Sequence, residues 1–221
     1  MFTRVAAEYD LATRAMSLGR DRRWKQRLVA RLPELRAPRC VDLACGTGDV
    51  ALALSRKYPD GEIIGVDLTP PMLELARARI RRENIRFLQR DMCRLELPAG
   101  WADIVTGSYA LRNAPVLETA VAEIRRVLKP GGWVGLLDFN KFAAQPWQVM
   151  QLAVLKLWGG GWGLVIHGRP EHAYIAESLR QFPDRRQWQA RLERSGFQIV
   201  HQESFMLGFL KLVILRKQDL S

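Results

Sequence analysis

A glycine-containing turn between an apolar segment and an amphipathic one is the feature that most constrains this chain. Residues Arg39 to Ala44 read as a buried strand, Gly46 and Gly48 follow, and an apolar helical pattern begins at Val50. Glycine lets the backbone adopt positive φ and lie against a ligand, and the N-terminus of the next helix offers unpaired N–H groups. The sequence therefore predicts a strand, turn and helix that bind a polar or anionic ligand.

Two ligands fit this turn. Residues 46–51 match the G-x-G-x-x-A form of a dinucleotide-binding turn. Asp42 favours a different ligand, because a carboxylate four residues before Gly46 can face a cationic group. NAD would place a pyrophosphate there, whereas S-adenosylmethionine (SAM) offers an ammonium. We therefore predict SAM, with Asp42, Gly46 and Gly48 at its site. Capping of the turn is the alternative role for Asp42.

Two further acids follow the next two predicted strands. Asp67 ends the apolar run 61–67, about 20 residues after the glycines, where an acid in a doubly wound fold accepts hydrogen bonds from ribose hydroxyls. Asp91 follows the strand 85–89 and can accept from the amino group of adenine, while the main-chain N–H of Met92 serves a ring nitrogen. A surface position in a loop is the alternative for Asp91. Acids at three successive strand ends indicate a nucleoside site.

Strands and helices alternate along most of the chain, and the links between them are short. A fourth strand is predicted over 102–108, a helix over 116–128, a sharp turn over 129–132 and a fifth strand over 133–139. This order indicates an α/β, Rossmann-like, doubly wound and mostly parallel sheet with helices on both faces. The runs 197–201 and 205–215 are expected to pair as an antiparallel hairpin at the sheet edge.

The hydrophobic content of 48% in 221 residues predicts one globular domain. The segment before the first strand reads as two helices around residues 17–19, and we expect it to cover the binding edge as a lid. We divide the chain into an N-terminal lid, a SAM-binding core, a substrate-side helical insertion and a C-terminal hairpin: residues 1–37, 38–139, 140–196 and 197–221.

Residues 147–158 read as an apolar helix, followed by a flexible glycine break over 159–163 and by a second helix over 184–195. The apolar helix is too short for a membrane span and is interrupted by Gln148, Gln151 and Lys156. Its apolar side chains either line a pocket for an apolar substrate or belong to the core.

The cysteines, the histidines and the net charge bear on the cellular compartment, on metal binding and on possible partners. The three cysteines have no paired spacing, and we recognise no signal peptide, which predicts a reducing cytoplasm. The histidines lack metal-ligand spacing, so we expect no metal. The net charge of +11 is compatible with nucleic acid, with an anionic membrane surface, or with ordinary solvated faces. The sequence leaves open whether the chain is a monomer or a homodimer.

Several short motifs resemble the ubiquinone/menaquinone-biosynthesis C-methyltransferases, and the similarity covers nearly the whole chain. The glycine turn and Lys-Pro-Gly-Gly are shared with many class I methyltransferases, whereas the other motifs are narrower. The matching segments are Phe2 to Ala6, Tyr9-Asp10, Met16 to Gly19, Trp24-Lys25, Asp42 to Asp49, Leu111 to Asn113, Arg126 to Gly132 and Ala176 to Leu179.

This resemblance implies a seven-stranded SAM-dependent methyltransferase that methylates a ring carbon of a polyprenylated benzoquinol or naphthoquinol and releases S-adenosylhomocysteine. It implies that SAM contacts Thr47, Asp67, Leu68, Asp91, Met92 and Ser108, and that a small aromatic substrate contacts Tyr9, Tyr109 and Tyr174.

For the chemistry, an ionised quinol hydroxyl makes the neighbouring ring carbon nucleophilic toward the methyl group. We expect Arg112 to stabilise the phenolate and Asn113 to orient the ring oxygens. Asp138 and His172 are the alternatives for the base.

Three other functions remain open at this stage. An O-, N- or C-methyltransferase of a soluble aromatic metabolite is the main alternative. A nucleic-acid methyltransferase fits the charge, but residues 108–113 read Ser-Tyr-Ala-Leu-Arg-Asn and lack the usual Asn/Asp-Pro-Pro-aromatic turn, so we expect no nucleic-acid partner. A non-catalytic binding module would bind SAM without turnover.

Overall fold

A computed structural model describes Ser17, residues 19–167 and residues 174–219 of the chain, and for residues 159–167 and Tyr174 it describes the backbone only. Seven strands form one sheet in the order β3, β2, β1, β4, β5, β7, β6. The strands are β1 (Arg39–Leu43), β2 (Glu62–Asp67), β3 (Ile85–Gln89), β4 (Ala102–Ser108), β5 (Leu128–Phe139), β6 (Phe197–Phe205) and β7 (Leu210–Lys217).

The first five strands run parallel, and β7 is antiparallel to both β5 and β6. The prediction of a doubly wound, mostly parallel sheet with a C-terminal antiparallel hairpin is therefore confirmed. The described helices are α1 (Asp21–Ala30), α2 (Asp49–Lys57), α3 (Pro70–Arg79), α4 (Leu117–Val127), α5 (Gln145–His167), α6 (Tyr174–Gln181) and α7 (Arg185–Arg194).

Helices cover both faces of the sheet, and each face has its own apolar core. Side chains of α1, α2 and α3 pack on one face, where Leu28, Leu54 and Leu73 are fully buried. Side chains of α4 to α7 pack on the other face around Ile124 and Leu179. Because successive residues of a strand point to opposite faces, neighbouring polar residues at a strand end are directed to different sides of the sheet.

Helix α1 lies on the face of the sheet. It contacts α2 and β5, and a side-chain atom at Gly135 would stand 3.1 Å from Leu28 and 3.3 Å from Leu32. The absence of a side chain at Gly135 therefore lets this helix approach the middle of the sheet. The first of the two predicted lid helices lies outside the described residues.

Two interruptions that the sequence predicts differ in the structure. The predicted flexible break at residues 159–163 is wrong, because α5 continues through all of them to His167. Each glycine in a helix costs about 1 kcal/mol relative to alanine, and such intrinsic preferences are routinely overridden by context. The predicted turn at 129–132 is a bulge inside β5, where Leu128 and Trp133 pair with Ala102 and Ile104 and Gly131 has a φ of 68°.

The hairpin tip lies at the same edge of the sheet as the binding turn. Phe139 at the end of β5 pairs with Leu210 at the start of β7, so the tip Met206–Gly208 stands at the carboxyl edge of the parallel strands. The second run of the hairpin was predicted to begin at Phe205, but this residue ends β6. Ligands of open α/β sheets bind at this carboxyl edge.

Candidate active site

The glycine turn joins β1 to α2 and is fixed by the neighbouring strand. The Gly46 N–H donates to Asp67 Oδ2 at 2.9 Å, and the Cys45 N–H donates to the Val66 carbonyl at 2.9 Å. Ala44, Gly46 and Gly48 have φ values of 47°, 53° and 86°. Positive φ at Ala44 is unusual for a residue with a side chain, and strain of this kind concentrates at ligand-binding turns.

The two glycines of the turn are needed for different reasons. A Cβ at Gly46 would meet nothing within 4 Å, so this residue faces open space where a ligand can lie against the backbone. A Cβ at Gly48 would stand 2.7 Å from Ile80 Cδ1 and 3.0 Å from Phe87 Cζ. Gly48 therefore serves internal packing, and Gly46 forms part of the cleft.

Asp42 is buried at the end of β1, with 1% of its surface exposed. Its Oδ1 accepts a hydrogen bond from Thr106 Oγ1 at 2.8 Å, while Oδ2 has no partner among the described residues. Burial raises the pKa of Asp42 to about 7, and the hydrogen bond from Thr106 and the charge of Lys25 oppose this rise. A buried carboxylate oxygen without a donor is costly, so a cationic ligand group at this position would stabilise the ionised form.

Asp67 and Ser108 lie beside Asp42 at the same edge. Asp67 Oδ2 accepts from Gly46 as described above, and its Oδ1 accepts from the Thr69 N–H at 2.8 Å. The hydroxyl oxygen of Ser108 is buried and has no hydrogen-bond partner in the described structure. Each oxygen of Asp67 keeps a further lone pair that can accept from a ligand hydroxyl.

These residues surround a cleft of two adjoining cavities that share Ala44, Gly46, Ser108 and Tyr109. The larger has a volume of about 720 Å³ including its open mouth and the smaller about 340 Å³. The larger cavity is also lined by Asp67, Leu68, Thr69, Met72, Arg90, Met92 and Asn113, and the smaller by Lys25, Asp42, Cys45, Thr47, Asp49 and Val50. A ligand that spans the two cavities would meet Asp67 in the larger and Asp42 in the smaller.

Asp91 does not line this cleft. Its Oδ1 accepts from the Cys93 N–H at 2.8 Å and so closes the turn that follows β3. Its neighbours Arg90 and Met92 do line the cleft. The predicted contact between Asp91 and the ligand remains a prediction.

Lys25 is the main cleft residue to which the sequence analysis gave no role. Its Nζ lies 2.6 Å from Asp21 Oδ2, 3.2 Å from Asp49 Oδ2 and 6.0 Å from the centre of the Tyr109 ring. Burial favours a raised pKa for Asp49, but Lys25 and Arg79 outweigh it and hold the pKa below its ordinary value. The Trp24-Lys25 motif shared with the family was the sequence signal that could have pointed to Lys25. The sequence does not show that this motif lies beside the glycine turn, because that depends on the fold.

Arg112 and Asp138 form a buried ion pair next to the cleft. Arg112 Nε donates to Asp138 Oδ1 at 2.9 Å, and its Nη1 donates to Ser178 Oγ at 2.9 Å. Burial raises the pKa of Asp138, although the charge of Arg112 opposes this. Asp138 Oδ2 is buried without a partner among the described residues.

The ion pair lies on the other face of the sheet from Asp42. Leu136 belongs to the core beneath α4 to α7, and the alternation along β5 directs Asp138 to the same side. The cavity lined by Asp138 shares none of the residues that line the cleft. Phe139 bridges the two regions, because its ring is 5.9 Å from the Tyr109 ring and 5.4 Å from the Arg112 guanidinium.

Most of the predicted site residues that the structure describes fall into two groups at one edge, and Gly48 and Asp91 belong to neither. The cleft collects Asp42, Gly46, Thr47, Asp67, Leu68, Met92, Ser108, Tyr109 and Asn113, whereas Arg112 and Asp138 pair beside it. Tyr9 and His172 lie outside the described residues, and the side chain of Tyr174 is not described. Within the described ranges, no group of three metal-ligating side chains occurs and no helix is long and apolar enough to cross a bilayer.

The strand order, the glycine turn and the acids around it define the class of SAM-dependent methyltransferases with a Rossmann-like fold. A SAM-dependent methyltransferase from Mesorhizobium loti has a similar structure, with a TM-score of 0.64 and 21% identity over 86% of this chain and 96% of that one. At this identity the likeness concerns the fold.

The sequence comparisons define the family. The ubiE/COQ5 methyltransferase family matches residues 1–215, and the chain belongs to it. The demethylmenaquinone methyltransferase of Thermus thermophilus is 36% identical over 91% of this chain and 93% of its own length. The ubiquinone/menaquinone biosynthesis C-methyltransferase UbiE of Syntrophotalea carbinolica is 34% identical over 96% and 90%. The chain is therefore an enzyme of the methyltransferase class.

Proposed function

We propose that this enzyme transfers the methyl group of SAM to a ring carbon of a polyprenylated quinol, with demethylmenaquinol as the first candidate. The names of the Thermus thermophilus and Syntrophotalea carbinolica relatives support this substrate class. The three cysteines are all unpaired, which is compatible with the reducing cytoplasm expected from the sequence.

The observation that carries the cofactor assignment is the buried Oδ2 of Asp42, which has no hydrogen-bond partner among the described residues and stands at the end of the cleft lined by Gly46. An ammonium at this position would supply the missing donor, and the cation Lys25 in the same cavity suits the neighbouring carboxylate of an amino acid. Asp67 in the adjoining cavity suits ribose hydroxyls. A dinucleotide would place phosphates beside Asp42 and Asp49, where two carboxylates repel them.

SAM supplies an electrophilic methyl group when it is bound. The aromatic rings of Tyr109 and Phe139 stand between the cleft and the ion pair, so a flat quinol ring is expected to lie against them. Asn113 lines the cleft, and its Nδ2 donates to the Tyr109 carbonyl at 3.0 Å, which fixes the amide so that its oxygen could accept from a ring hydroxyl. These groups would hold the ring carbon in line with the methyl group.

Asp138 is the base that we assign. Its Oδ2 accepts no hydrogen bond from the residues that the structure describes, and a carboxylate with a raised pKa is better matched to removing a proton from a quinol hydroxyl than an ordinary surface acid. Arg112 holds the other oxygen of Asp138 and keeps a positive charge beside the developing phenolate. In such a transfer the ring carbon would form the new bond to the methyl carbon, the electrons of the broken carbon–sulfur bond would stay on sulfur, and the proton of the ring carbon would pass to water.

A methyl-transfer assay read by mass spectrometry tests the proposal. The purified enzyme is given SAM together with demethylmenaquinol, a demethylated benzoquinol or a soluble catechol. We expect a mass increase of one methylene on ring carbon for at least one of the two quinols. Methylation of the catechol alone, or a methyl group on oxygen, would replace the proposal with the soluble-metabolite alternative. Binding of SAM without turnover of any quinol would support a binding module.

A further inference from the structure

Over residues 145–158, helix α5 carries large apolar side chains on its exposed face as well as on the face that packs on the core. Its buried face carries the amide Gln151, which has no exposed surface, together with Leu155. Its exposed face carries large apolar side chains, with Leu157 at 77%, Val149 at 63% and Trp147 at 60% exposure. A helix that meets water usually carries polar side chains on its exposed face. Contiguous exposed apolar groups mark a surface that contacts another phase or molecule.

The hairpin tip presents a second exposed apolar group. Leu207 is 98% exposed and has a φ of 55°, and its neighbour Met206 has a φ of 51°. This conformation disfavours residues with a side chain by about 1–2 kcal/mol each. An exposed leucine in such a turn gains no burial that offsets this cost, so neither packing nor backbone preference explains its presence.

Hydrogen bonds hold the helix and the tip together. Asn140 Nδ2 donates to the Gly208 carbonyl at 3.0 Å, and the Asn140 N–H donates to the Phe209 carbonyl at 2.8 Å. On the other side, Gln151 Nε2 donates to the Asn140 carbonyl at 2.5 Å, and Gln151 Oε1 accepts from the Phe142 N–H at 2.9 Å. The buried glutamine thus joins α5 to the segment that carries the tip.

We propose that this apolar edge, formed by the exposed face of α5 over residues 147–158 and the tip Met206–Leu207, inserts into the interface of an anionic lipid bilayer. The inference rests on the proposed function, because a polyprenylated quinol partitions into the bilayer and must reach the carboxyl edge of the sheet. Trp147 and Trp158 suit this position, since tryptophan prefers the boundary between headgroups and acyl chains.

Charge favours an anionic lipid surface over a second copy of the chain. Lys156 is exposed among the apolar residues of α5. Three basic residues, Lys141, Arg185 and Lys211, line one small cavity beside the tip together with Asp138, whose charge is paired with Arg112. The nearby acid Asp184 is occupied in capping α7. With a net charge of +11, two copies repel each other, whereas basic residues near an anionic bilayer each add to the attraction.

Sedimentation with lipid vesicles tests the inference. The full chain is mixed with vesicles of phosphatidylcholine alone or of phosphatidylcholine with phosphatidylglycerol. The test variant is Leu157→Gln with Leu207→Gln. The matched control is Leu75→Gln, because Leu75 is an exposed leucine on α3, near the opposite end of the sheet. Thermal unfolding checks that each variant is folded.

We expect the wild type and the control to bind the anionic vesicles, with binding that weakens in high salt. The double variant should bind at least roughly tenfold more weakly, which corresponds to about 1.4 kcal/mol. Equal binding of the variant and the wild type, or no binding by the wild type, would overturn the inference. Sedimentation velocity adds a further outcome: a wild-type dimer that the double variant dissociates would make this edge an interface between copies.

The same variants separate this inference from the proposed function. On a short-chain, water-soluble quinol the double variant should keep wild-type turnover, because neither leucine lines the cleft. Vesicle binding without methylation of any quinol would refute the proposed function and leave the lipid contact standing. Methylation of a quinol without vesicle binding would support the proposed function and refute the lipid contact.

Discussion

The buried guanidinium of Arg112 donates to the hydroxyl oxygen of Ser178 at 2.9 Å. This contact joins the short 3₁₀ helix Leu111–Asn113, which follows β4, to α6, although the two residues are 66 positions apart. It brings together two motifs that lie far apart in the sequence, Leu-Arg-Asn and Ala-Glu-Ser-Leu. Arg112 therefore has a structural role as well as the electrostatic one expected from the sequence.

Asp42→Asn is predicted to weaken binding of S-adenosylhomocysteine by about tenfold or more, because a charged hydrogen bond to the ligand ammonium contributes roughly 1.5–3 kcal/mol. Binding of 5′-methylthioadenosine, which lacks the amino acid, should be unchanged. Isothermal titration calorimetry measures both. Asp103→Asn is the matched control, because Asp103 pairs with Lys129 at the opposite end of β4. Equal losses of affinity for both ligands would show that the amino-acid part of S-adenosylhomocysteine does not lie at Asp42.

Asp42 should also make stability depend on pH. Its pKa rises from an ordinary 3.8 to about 7 in the folded chain, so the folded state binds more protons than the unfolded state between these values. The contribution of Asp42 to the free energy of unfolding is fully present below about pH 4 and is lost as pH rises toward 7. Asp138 acts in the same direction, so the wild type must be compared with Asp42→Asn.

Thermal unfolding between about pH 5 and pH 8 measures this effect. The Asp42→Asn variant should lose less stability than the wild type across the interval. The charge of Lys25 lowers the pKa of Asp42, so Lys25→Met should raise this pKa further. The loss of stability should then continue to higher pH than in the wild type. Parallel curves for the wild type and the Asp42→Asn variant would show that Asp42 is not the titrating group.

The two glycines of the turn should respond differently to substitution. Gly48→Ala is predicted to lower the free energy of unfolding by more than Gly46→Ala, because only the former adds a clash with Ile80 to the strain of positive φ. Gly46→Ala should cost about 1 kcal/mol of stability and weaken cofactor binding. Denaturant unfolding measures the change in stability, and calorimetry measures the change in cofactor affinity. A normal cofactor affinity in the Gly46→Ala variant would show that Gly46 does not contact the cofactor.

Asp138→Asn is predicted to slow single-turnover methylation by about 100-fold or more, the usual contribution of a positioned base. SAM affinity should be unchanged, because Asp138 does not line the cleft. Ser178→Ala serves as the comparison, since it removes only the hydroxyl that accepts from Arg112 and should cost about 1 kcal/mol of stability. A similar slowing in both variants would indicate that the network positions α6 and that Asp138 is not the base.

The glycine turn and the acids at the neighbouring strand ends could be predicted from sequence, because they depend on residues that are close together in the chain. Gly46 and Asp67 are 21 residues apart, a spacing that is set by one helix and one strand of ordinary length. Lys25 could not be assigned, because its place beside Asp49 depends on how α1 packs on the sheet. Asp91 follows the same pattern as Asp67 and accepts from the N–H two residues on in the same way, yet only Asp67 lines the cleft.

The orientation of α5 could not be predicted either. Apolar residues at helical spacing indicate that a helix forms, but periodicity does not say which face the rest of the chain covers. Gln151 interrupts the apolar pattern and reads as a surface residue in sequence. In the fold it is fully buried, because the chain between β5 and α5 offers it a carbonyl and an N–H.

The double use of Asp67 has a consequence for how the enzyme discriminates among ligands. Both of its oxygens are already held by main-chain donors, from Gly46 and from Thr69, before any nucleoside arrives. In the proposed cofactor site, a ribose held by Asp67 would lose no affinity to the freezing of a rotamer, because the carboxylate is already fixed. SAM and S-adenosylhomocysteine have the same nucleoside half, so this anchor would not discriminate between them, and discrimination would depend on the groups around the sulfur.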